Sequence, residues 1–493
     1  MITVTKTNEV YLRVDTDLST SQEINDFFTF DVPGAKFMPL YKSRMWDCKS
    51  RLFNMYKKEL YVGLLPYLQE FAKKLEYKIE VNMDEIGVSV SYQYVEDFTN
   101  NLNFKSNGAD ITAHDYQLSA VQHAIEKGRT LLLSPTASGK SLIIYSLIRY
   151  HQHLGRKQLI IVPTTSLVEQ MYGDFQDYAS ASEWSAADNC HRIYGGKEKS
   201  NESPVTISTW QSIYKFPKTW FDTFEVVYGD ECHLFKAKSL TSIMDKLTTA
   251  PYRIGTTGTL DGTHTHKLIL EGVFGSVYNV TTAKKLMDVG KISKLKIIGM
   301  VLQYSDEECK LVKKMDYQQE MDFLVSHVKR NTIVRNLSIT QKGNTLVLFQ
   351  YIEKHGKIIY DMIKSKIGDT RKVFFVYGGV DTETREQIRA LVELETDAVI
   401  VASYGTFSTG INIKNLHNII FASPSKSKVR NLQSIGRGLR KGADKDSCNL
   451  FDIGDDLTWK GKKNYTLEHM VERIKMYNEE NFNYKLVKVS TNG

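Results

Sequence analysis

Short apolar runs separated by helical segments recur from about residue 111 onward, and they constrain the fold of this chain more than any other feature. The first set comprises residues 130–133, 158–162, 205–208, 226–228 and 252–255. The second set follows a charged stretch at 306–330 and comprises residues 345–349, 372–376, 398–401, 418–421 and 449–453. Runs of this kind are typical of buried parallel strands joined by helices. The pattern therefore predicts an α/β fold with two similar lobes in tandem.

The first hundred residues have a different pattern and predict a small α+β domain. Val10, Leu12 and Val14 alternate as in a strand, Thr20 and Glu23 have the spacing of a capping box, and residues 63–75 have helical periodicity. The polar stretch 99–110 resembles a linker. We predict an N-terminal domain at residues 1–100, lobes at 101–288 and 289–460, and a C-terminal helix and tail at 461–493.

Composition narrows the class of protein. The 493 residues carry a net charge of +7, which favours polyanionic partners. The five cysteines are scattered and odd in number, so they predict neither a disulfide framework nor a zinc cluster. The sequence contains no secretory signal pattern and no apolar run long enough to span a bilayer. We expect a soluble, non-secreted protein in a reducing cytoplasm.

Residues 134–141 follow one apolar run and precede a helical run at 142–150, which predicts a Walker A loop. The main chain of such a loop and the helix N-terminus hold phosphates; the residues concerned are Pro135, Thr136, Ala137, Ser138 and Gly139. Lys140 is expected to reach the β- and γ-phosphates, and the Ser141 hydroxyl to bind Mg²⁺. Ser134 replaces the usual first glycine, and a serine-glycine turn that only caps a helix is the alternative.

About ninety residues later, the apolar run at 226–228 leads into two adjacent acids. Asp230 is expected to hold Mg²⁺, and Glu231 to orient or deprotonate the water that attacks the γ-phosphate. Acids at a strand end also serve as helix caps, but a pair downstream of a Walker A loop favours catalysis.

Residues 433–440 predict a helix with an outward polar side. Gln433, Arg437 and Arg440 share one side at spacings of four and seven, while Leu432, Ile435 and Leu439 form a neighbouring apolar stripe that docks the helix. Guanidinium groups bind phosphate oxygens in pairs, and an arginine at a transferring phosphate supplies roughly 10³–10⁵ in rate. A basic surface helix is the alternative.

In chain order, the Walker A loop, Asp-Glu-Cys-His at 230–233, Gly-Thr-Thr-Gly-Thr at 255–259 and Gln-x-x-Gly-Arg-x-x-Arg at 433–440 resemble motifs I, II, III and VI of superfamily 2 helicases. The resemblance covers about residues 111–455. It implies two RecA-like lobes, with ATP and Mg²⁺ as cofactors and a nucleic acid as partner. It also implies a coupling contact between His233 and Thr257 or Thr259, for which a buried histidine without functional meaning is the alternative.

Four further motifs of this helicase superfamily can be matched to positions in the sequence. Tyr116 and Gln117 resemble the adenine-reading Q motif. Pro163, Thr164 and Thr165 resemble motif Ia, and residues 208–211 resemble motif Ib, which implies that Ser208, Thr209 and Gln211 contact the nucleic-acid backbone. Thr406, Thr409, Gly410 and Asn412 resemble motif V, which touches nucleic acid and nucleotide. The alternatives are strand-end turn residues and, for Gln117, a helix cap.

The Asp-Glu-Cys-His form of motif II, a basic-aromatic N-terminal unit, and residues 272–275 leading to 280–282 resemble the UvsW-type helicases of bacteriophages. That resemblance implies ATP-dependent remodelling of branched DNA, including forks, junctions and R-loops, in recombination, repair and replication control. The implied partners are branched or forked DNA, RNA–DNA hybrids and other replication or recombination proteins, with no membrane. The implied location is the cytoplasm of the host.

Residues 36–58 combine seven lysines and arginines with five aromatic side chains and one acid, Asp47. Cations for phosphates and rings for unpaired bases are the ingredients of a nucleic-acid surface, and Lys42, Arg44, Trp46 and Lys49 are its candidates. A half-buried hairpin with solvated lysines is the alternative.

Two other functions remain open at this level. An RNA helicase would use the same motifs, because they contact mainly the backbone. A protein that uses nucleotide only as a switch is a second alternative, although intact Lys140, Asp230, Glu231 and Arg440 argue against it. We find no further acid cluster that would indicate a nuclease.

Overall fold

The chain forms two compact units in the computed structural model. The model describes residues 1–32, 35, 41, 43–84, 86–195, 202–235, 238–380, 382–410, 413, 415–441 and 445–491, without the side chains of 238, 382, 383, 385, 386 and 408–410. The first unit contains residues 1–134 and 139–280, and the second contains residues 281–493 together with 135–138.

A five-stranded mixed sheet forms the N-terminal part of the first unit. Its strand order is β5–β6–β2–β1–β7, with β1 parallel to β7 and the other pairs antiparallel. Leu12 and Val14 are buried together with Ile24, Leu68 and Phe71 of two covering helices, which explains the alternation in the sequence. The elements are β1 Ile2–Lys6, β2 Tyr11–Asp15, α1 Leu18–Phe27, β3 Thr29–Asp31, β4 Lys49–Arg51, β5 Phe53–Asn54, β6 Glu59–Tyr61, a 3₁₀ turn Val62–Leu64, α2 Leu65–Lys74 and β7 Ile79–Asn82.

Helix α1 is capped by a residue that the sequence pattern did not indicate. The Asp17 carboxylate accepts a hydrogen bond from Thr20 N at 2.9 Å. The predicted capping box of Thr20 and Glu23 is therefore wrong, because Thr20 already lies in the first helical turn. Glu23 instead accepts a hydrogen bond from the Tyr77 hydroxyl at 2.7 Å.

The stretch 99–110 is ordered and packed, so its interpretation as a linker is wrong. It contains the end of α3 (Tyr92–Asn100) and a small hairpin of β8 (Lys105–Ser106) and β9 (Ala109–Asp110). Leu102 and Phe104 are buried in the same core cluster as the first parallel sheet. The polar composition predicted a linker incorrectly, because these two apolar side chains anchor the segment in the core.

The first parallel sheet contains all five predicted strands. Its order is β12–β13–β11–β14–β15–β10–β16, and every pair is parallel. The two edge strands, β12 and β16, were not predicted because they are short and only partly apolar. The strands are β10 Arg129–Leu133, β11 Gln158–Val162, β12 Cys190–Ile193, β13 Val205–Thr209, β14 Val226–Gly229, β15 Tyr252–Thr257 and β16 Val277–Asn279.

Helices follow most of these strands and cover the sheet. They are α4 Asp115–Lys127, α5 Lys140–His153, α6 Thr165–Tyr178, α7 Ala186–Asn189, α8 Trp210–Ile213, α9 Lys218–Phe221, α10 Lys238–Lys246 and α11 His264–Phe274.

The second unit is built on another seven-stranded parallel sheet, of order β19–β20–β18–β21–β22–β17–β23. The five predicted strands are present, and the two sheets confirm the predicted tandem RecA-like lobes. Strand β23 lies within the predicted C-terminal tail, which is therefore not simply a tail. The strands are β17 Lys294–Gln303, β18 Thr345–Phe349, β19 Val373–Val376, β20 Val399–Ser403, β21 Asn418–Phe421, β22 Ser447–Asp456 and β23 Tyr484–Ser490.

The charged stretch 306–330 folds into helices and contributes to this core. Arg330 is fully buried, and its guanidinium forms an ion pair with the buried Asp455 carboxylate at 2.8 Å. The helices are α12 Ala283–Asp288, α13 Asp306–Val312, α14 Tyr317–Ser326, α15 Val328–Thr340, α16 Lys357–Ile367, α17 Thr382–Leu394, α18 Tyr404–Gly410, α19 Lys428–Gly438 and α20 Tyr465–Glu479, with a π-helical turn Ile352–Gly356 before α16. Among the described residues, no helix is long and apolar enough to cross a membrane.

Candidate functional site

Three adjacent strands of the first sheet, β14, β15 and β10, bring the predicted nucleotide motifs together. Leu133 at the end of β10 pairs with Thr257 of β15, and Gly229 at the end of β14 pairs with Gly255. All three strands are parallel, so their carboxyl ends meet at one edge. The loops that begin at Ser134, Asp230 and Gly258 therefore start side by side.

The predicted Walker A loop has the backbone of a phosphate cradle. Ala137 and Gly139 have φ angles of +67° and +77°, and α5 begins directly after Gly139. Within the loop, the Ser138 hydroxyl donates to Pro135 O at 2.6 Å. The first amides of α5 point out of the helix end, where they can bind an anion. Ser134 replaces glycine without disruption, because it is buried and its N–H donates to Thr257 O at 2.9 Å.

Gln117 lies at the start of α4 and contacts this loop. Its Oε1 accepts a hydrogen bond from His114 N at 2.8 Å, and its Nε2 donates to Gly139 O at 3.4 Å. The helix-cap alternative is thus present in the structure, and adenine recognition by Gln117 stays a prediction. Burial raises the pKa of the neighbouring Tyr116 hydroxyl to about 12, so this residue is neutral at physiological pH.

Asp230 is held rigidly at the end of β14. Its N–H donates to Ile161 O at 3.0 Å, and its Oδ1 accepts from the Thr256 hydroxyl at 2.8 Å. Burial raises the pKa of this carboxyl, and the charge of Glu231 raises it further, whereas Lys140 lowers it. Glu231 has a φ of +48°, a conformation uncommon outside glycine that turns the chain sharply after the strand.

The donor set fits a magnesium ion that bridges protein and phosphate. Asp230 offers a buried carboxylate beside a second acid, an arrangement that a cation stabilises. The Ser141 hydroxyl lies at the first turn of α5, 2.8 Å from the Tyr178 hydroxyl. Magnesium typically takes one or two such oxygens and completes its shell with water and phosphate. Among the described residues there is no cluster of three or more acidic, histidine or cysteine side chains that would hold a metal ion alone.

The predicted contact between His233 and Thr257 is present, whereas its coupling role stays a prediction. His233 Nδ1 lies 3.1 Å from the Thr257 hydroxyl, and that hydroxyl donates to Thr259 O at 3.1 Å. His266 of α11, which sequence reasoning missed, approaches His233 O at 2.9 Å and Asp261 Oδ1 at 2.9 Å. Motif II is therefore tied both to motif III and to the following helix.

The motif Ia and Ib segments follow β11 and β13, which lie on the other side of β14. The Gln211 side chain donates to Pro163 O at 3.3 Å, so the two segments are in contact. Thr165 and Gln211 are exposed, while Thr164 caps α6 through Leu167 N at 3.3 Å.

Two residues of motif Ib are buried. Ser208 is fully buried and donates to Ile193 O at 2.9 Å, and the Thr209 hydroxyl bonds Ser212 at 2.9 Å. Prediction of Ser208 as a backbone contact is contradicted by this burial, because its hydroxyl reaches no surface. An alternating strand pattern cannot show which of two neighbouring hydroxyls lies inside.

Motif V begins at α18 of the second unit. Thr406 is buried and its hydroxyl lies 2.8 Å from Ser403 Oγ, which joins the helix to the end of β20. The side chains of Thr409 and Gly410, and the whole of Asn412, lie outside the described residues. Their predicted roles stay predictions.

The motif VI helix ends earlier than the sequence pattern predicts. Helix α19 ends at Gly438, so Arg440 lies beyond it and does not occupy a third position on the helical side. The packed face differs as well, since Ile435 and Leu439 are buried but Leu432 is only half-buried. A Cβ at Gly438 would lie 2.5 Å from Ile419 Cδ1, so this glycine serves close packing on β21.

Half-buried side chains remain at the predicted phosphate positions Gln433, Arg437 and Arg440. The Arg437 guanidinium stands 5.3 Å from the centre of the Phe407 ring of α18. Lys445, which the sequence did not indicate, donates to Arg440 O at 2.9 Å and thereby fixes the backbone of that residue. Burial lowers the pKa of the Lys445 ammonium group.

The basic-aromatic N-terminal segment is only partly a free surface. Arg44 and Lys49 are exposed, and Trp46 is half-buried with its indole N–H donating to Lys49 O at 3.0 Å. Phe53 belongs to the domain core, and Arg51 pairs with Asp47. Lys42 lies outside the described residues. Both the functional interpretation and the hairpin alternative therefore describe part of this segment.

Three family models match successive parts of the chain. The N-terminal model of the DNA helicase UvsW matches residues 2–82, the model of the res subunit of type III restriction enzymes matches residues 110–262, and the helicase conserved C-terminal domain model matches residues 328–442. The three matches fall on the N-terminal sheet, the first lobe and the second lobe.

Individual relatives extend these matches to nearly the whole chain. The ATP-dependent DNA helicase UvsW of enterobacteria phage T4 is 36% identical over 97% of this chain and 98% of that protein. Its crystal structure covers 99% of both chains with a TM-score of 0.52. A DNA 3'-5' translocase XPB2 of Sulfurisphaera tokodaii is 27% identical over 72% of this chain and 84% of that protein. A putative HsdR fragment of a type I restriction enzyme from Vibrio vulnificus, 18% identical over 81% of this chain and 72% of that chain with a TM-score of 0.56, shows the fold alone.

Proposed function

Because this chain belongs to the UvsW family of ATP-dependent DNA helicases within superfamily 2, we propose that it hydrolyses ATP to remodel branched DNA such as forks, junctions and R-loops. Membership of this family makes the chain an ATP-hydrolysing helicase. The branched substrate and the residue roles are the parts that we propose.

One observation carries the proposal: a single sheet edge presents nucleotide and nucleic-acid segments next to each other. Strands β14, β15 and β10 carry motifs II, III and I, and β11 and β13 carry motifs Ia and Ib. The Asp230 N–H donates to Ile161 O of β11, so the two groups of strands are joined by a hydrogen bond. Asp230 is thereby bonded directly to the strand that precedes Pro163.

ATP is the proposed substrate of the residues on the nucleotide side. The Walker A amides and Lys140 bind its phosphates, and Glu231 orients the attacking water. Ser141 and Asp230 would hold Mg²⁺, which would neutralise the charge on the phosphates. Arg437 and Arg440 are the proposed contacts of the transferring phosphate.

A branched substrate is supported by the N-terminal domain, which is anchored on the helix that follows motif III. The Tyr67 hydroxyl donates to Glu271 of α11 at 2.6 Å, and the Tyr61 hydroxyl donates to Asp245 at 3.1 Å. Arg129 forms an ion pair with Glu9 at 2.7 Å. The exposed Arg44 and Lys49 thus belong to a domain fixed on the first lobe, and they offer a second DNA contact in addition to the motif Ia and Ib segments.

The test compares the ATPase rate of the full chain with single-stranded DNA, duplex DNA, forked DNA and RNA. We expect the largest stimulation by forked DNA, and Lys140→Ala should abolish turnover with every polynucleotide. Lack of stimulation by any polynucleotide would overturn the proposal. Stimulation by RNA alone would instead establish the RNA helicase alternative, which the similarity to a DNA helicase does not favour.

A further inference from the structure

Two short segments of the second unit concentrate positive charge on one surface. We call their six exposed lysines the lysine patch, which consists of Lys310, Lys313, Lys314, Lys460, Lys462 and Lys463. Within the described parts of the chain, none of the six has a carboxylate partner within 4.0 Å. Their charge is therefore available to a ligand.

The two segments are held together by an apolar cluster and a tight turn. Val312 at the end of α13 and Leu457 after β22 are buried in one cluster, against which Met315 and Trp459 pack. Trp459 and Lys462 exchange two backbone hydrogen bonds of 3.1 Å around Lys460 and Gly461, which have φ angles of +48° and +80°. A two-residue turn with both φ angles positive is a rigid hairpin connection. The lysines of the patch thus project from fixed backbone positions.

A small cleft of about 80 Å³ lies within the patch. Lys313, Lys462 and Lys463 line it together with Tyr465 and two acids. One of these acids, Glu320, is buried, and its carboxylate accepts four hydrogen bonds of 2.7–3.0 Å from Asn464, Tyr465 and Thr466. The other acid is the exposed Glu468 of α20. Three exposed ammonium groups thus face one exposed carboxylate, and the cleft attracts anions.

Position in the sheet separates the patch from the motif V segment. Gln303 at the end of β17 pairs with Asp456 at the end of β22, and the patch follows these two strand ends. The motif V helix leaves the same edge after β20, three strands from β22. At about 4.8 Å per strand, the two places lie roughly 14 Å apart. The lysine patch is therefore separate from the motif V segment on this edge of the sheet.

We propose that the lysine patch binds the phosphodiester backbone of a second DNA segment, namely an arm of a branched substrate that motifs Ia, Ib and V do not hold. Lysine ammonium groups are point charges that bind phosphates without reading bases. Tyr465 and Tyr317, which are 44% and 37% exposed, offer rings beside them for a sugar or an unpaired base. The inference rests on the proposed function, because it assumes a DNA-stimulated ATPase.

The test uses the full chain with Lys313→Gln, Lys462→Gln and Lys463→Gln combined. Its matched control combines Lys291→Gln, Lys294→Gln and Lys296→Gln, three exposed lysines at the opposite, amino-terminal end of β17. Binding of forked DNA is measured by fluorescence anisotropy at several salt concentrations. Each lost phosphate contact lowers the slope of log affinity against log salt by about 0.9. We therefore expect a loss of about 2–3 in slope, so the loss of affinity should grow by roughly 10²–10³-fold between 1 M and 0.1 M salt. The maximal ATPase rate with single-stranded DNA should stay unchanged.

Outcomes for the two proposals are distinguishable. If the unmodified protein shows no DNA-stimulated ATPase activity, the proposed function fails. If that activity is present but the patch variant keeps the slope of the unmodified protein, or loses no more than the control variant, only the lysine patch is overturned. Arginine at the same three positions should restore the slope, and thermal unfolding should match that of the unmodified protein; a patch variant that arginine does not rescue would also overturn the inference.

Discussion

The backbone of Arg440 is held by contacts outside the motif VI helix. It lies two residues after the end of α19, and Lys445 Nζ and Ser293 Oγ hold its carbonyl at 2.9 and 3.3 Å. One hydrogen bond from five residues along the chain and one from a residue 147 positions away thus fix a backbone that the helix no longer supports. A side chain on a fixed backbone loses less entropy when it binds a phosphate.

Arg440→Ala should therefore lose ATP turnover by roughly 10³-fold or more, because an arginine at the transferring phosphate supplies roughly 10³–10⁵ in rate. DNA affinity should change little, since the expected partner of Arg440 is the nucleotide. Steady-state ATPase assays and DNA titrations measure the two effects. Arg335→Ala, whose guanidinium bonds only Asn336 in the described structure, is the matched control. Normal ATP turnover by Arg440→Ala would instead support the alternative that residues 433–440 form only a basic surface segment.

Ser208 and Gln211 stand three residues apart in motif Ib but have opposite environments. Ser208→Ala removes a buried hydrogen bond to Ile193 O and should cost about 1 kcal/mol of unfolding free energy without weakening DNA binding. Gln211→Ala changes an exposed side chain, so it should weaken DNA binding several-fold at unchanged stability. Urea unfolding and DNA titration of both variants check the contrast. A loss of DNA affinity in Ser208→Ala at full stability would contradict it.

At the level of elements, Gly63 decides how closely the N-terminal domain can dock. It lies in the 3₁₀ turn before α2, and a Cβ there would come 1.9 Å from Glu271 O at the end of α11. No side chain rotation relieves a clash with a backbone carbonyl. The two elements must therefore separate if any other residue occupies this position.

Gly63→Ala should lower the unfolding free energy by more than about 2 kcal/mol, in the range of overpacking and backbone displacement. It should also expose the contact between the N-terminal domain and α11 to protease. Gly173→Ala is the control, because a Cβ there meets nothing within 4 Å and alanine favours the helix by about 1 kcal/mol. Differential scanning calorimetry and limited proteolysis measure both; equal stability of the two variants would refute the close-packing argument.

Strand β4 and the turn before it carry the candidate DNA contacts of the same domain. Replacing Arg44 and Lys49 with glutamine should weaken duplex binding and lower its salt slope by about 2, at about 0.9 per phosphate. Lys73→Gln with Lys74→Gln removes the same charge from the exposed end of α2 and serves as the control. Anisotropy titrations at four salt concentrations give the slopes. An unchanged slope in the first variant would favour the solvated-hairpin alternative.

At the scale of the whole molecule, histidine rings with lowered pKa values make the unfolding free energy depend on pH. Burial lowers the pKa of His151 from 6.5 to about 3 and that of His469 from 6.5 to about 4, and it lowers the pKa of His355 well below 6.5. These rings are neutral when folded but become protonated when unfolded. Their contribution is fully present above about pH 6.5 and is lost as the pH falls toward the folded values.

Below about pH 5.5 each such ring should remove up to about 1.4 kcal/mol of unfolding free energy per pH unit. Urea unfolding of the full chain at pH 7 and pH 5 measures this slope. His151→Gln should reduce it, whereas His153→Gln, which changes an exposed ring two residues along α5, should not. Identical slopes in His151→Gln and the unmodified protein would show that the buried ring does not control the acid response.

The limits of sequence reasoning follow from particular residues. Nine interior strands and the edge strand β19 were predicted because each contains a run of apolar residues. The interior strand β17 and the edge strand β23 were missed because exposed residues interrupt their apolar positions. Thr256, which holds Asp230, and Tyr178, which contacts Ser141, were missed as site residues because their partners lie 26 and 37 positions away. Leu102 and Phe104 anchor a segment that is polar on average, so the linker interpretation failed there.

The sequence by itself determined the α/β class, the positions of ten strands along the chain and the chemistry of the phosphate-binding loop. These properties are local, since they depend on the spacing of apolar residues and on the types of a few neighbouring side chains. Only the tertiary structure decided that Ser208 is buried while Gln211 is exposed, that the Arg440 carbonyl is held beyond its helix by Ser293, and that two lysine segments 150 residues apart form one patch. Each depends on packing between elements distant in the chain, which no local period encodes.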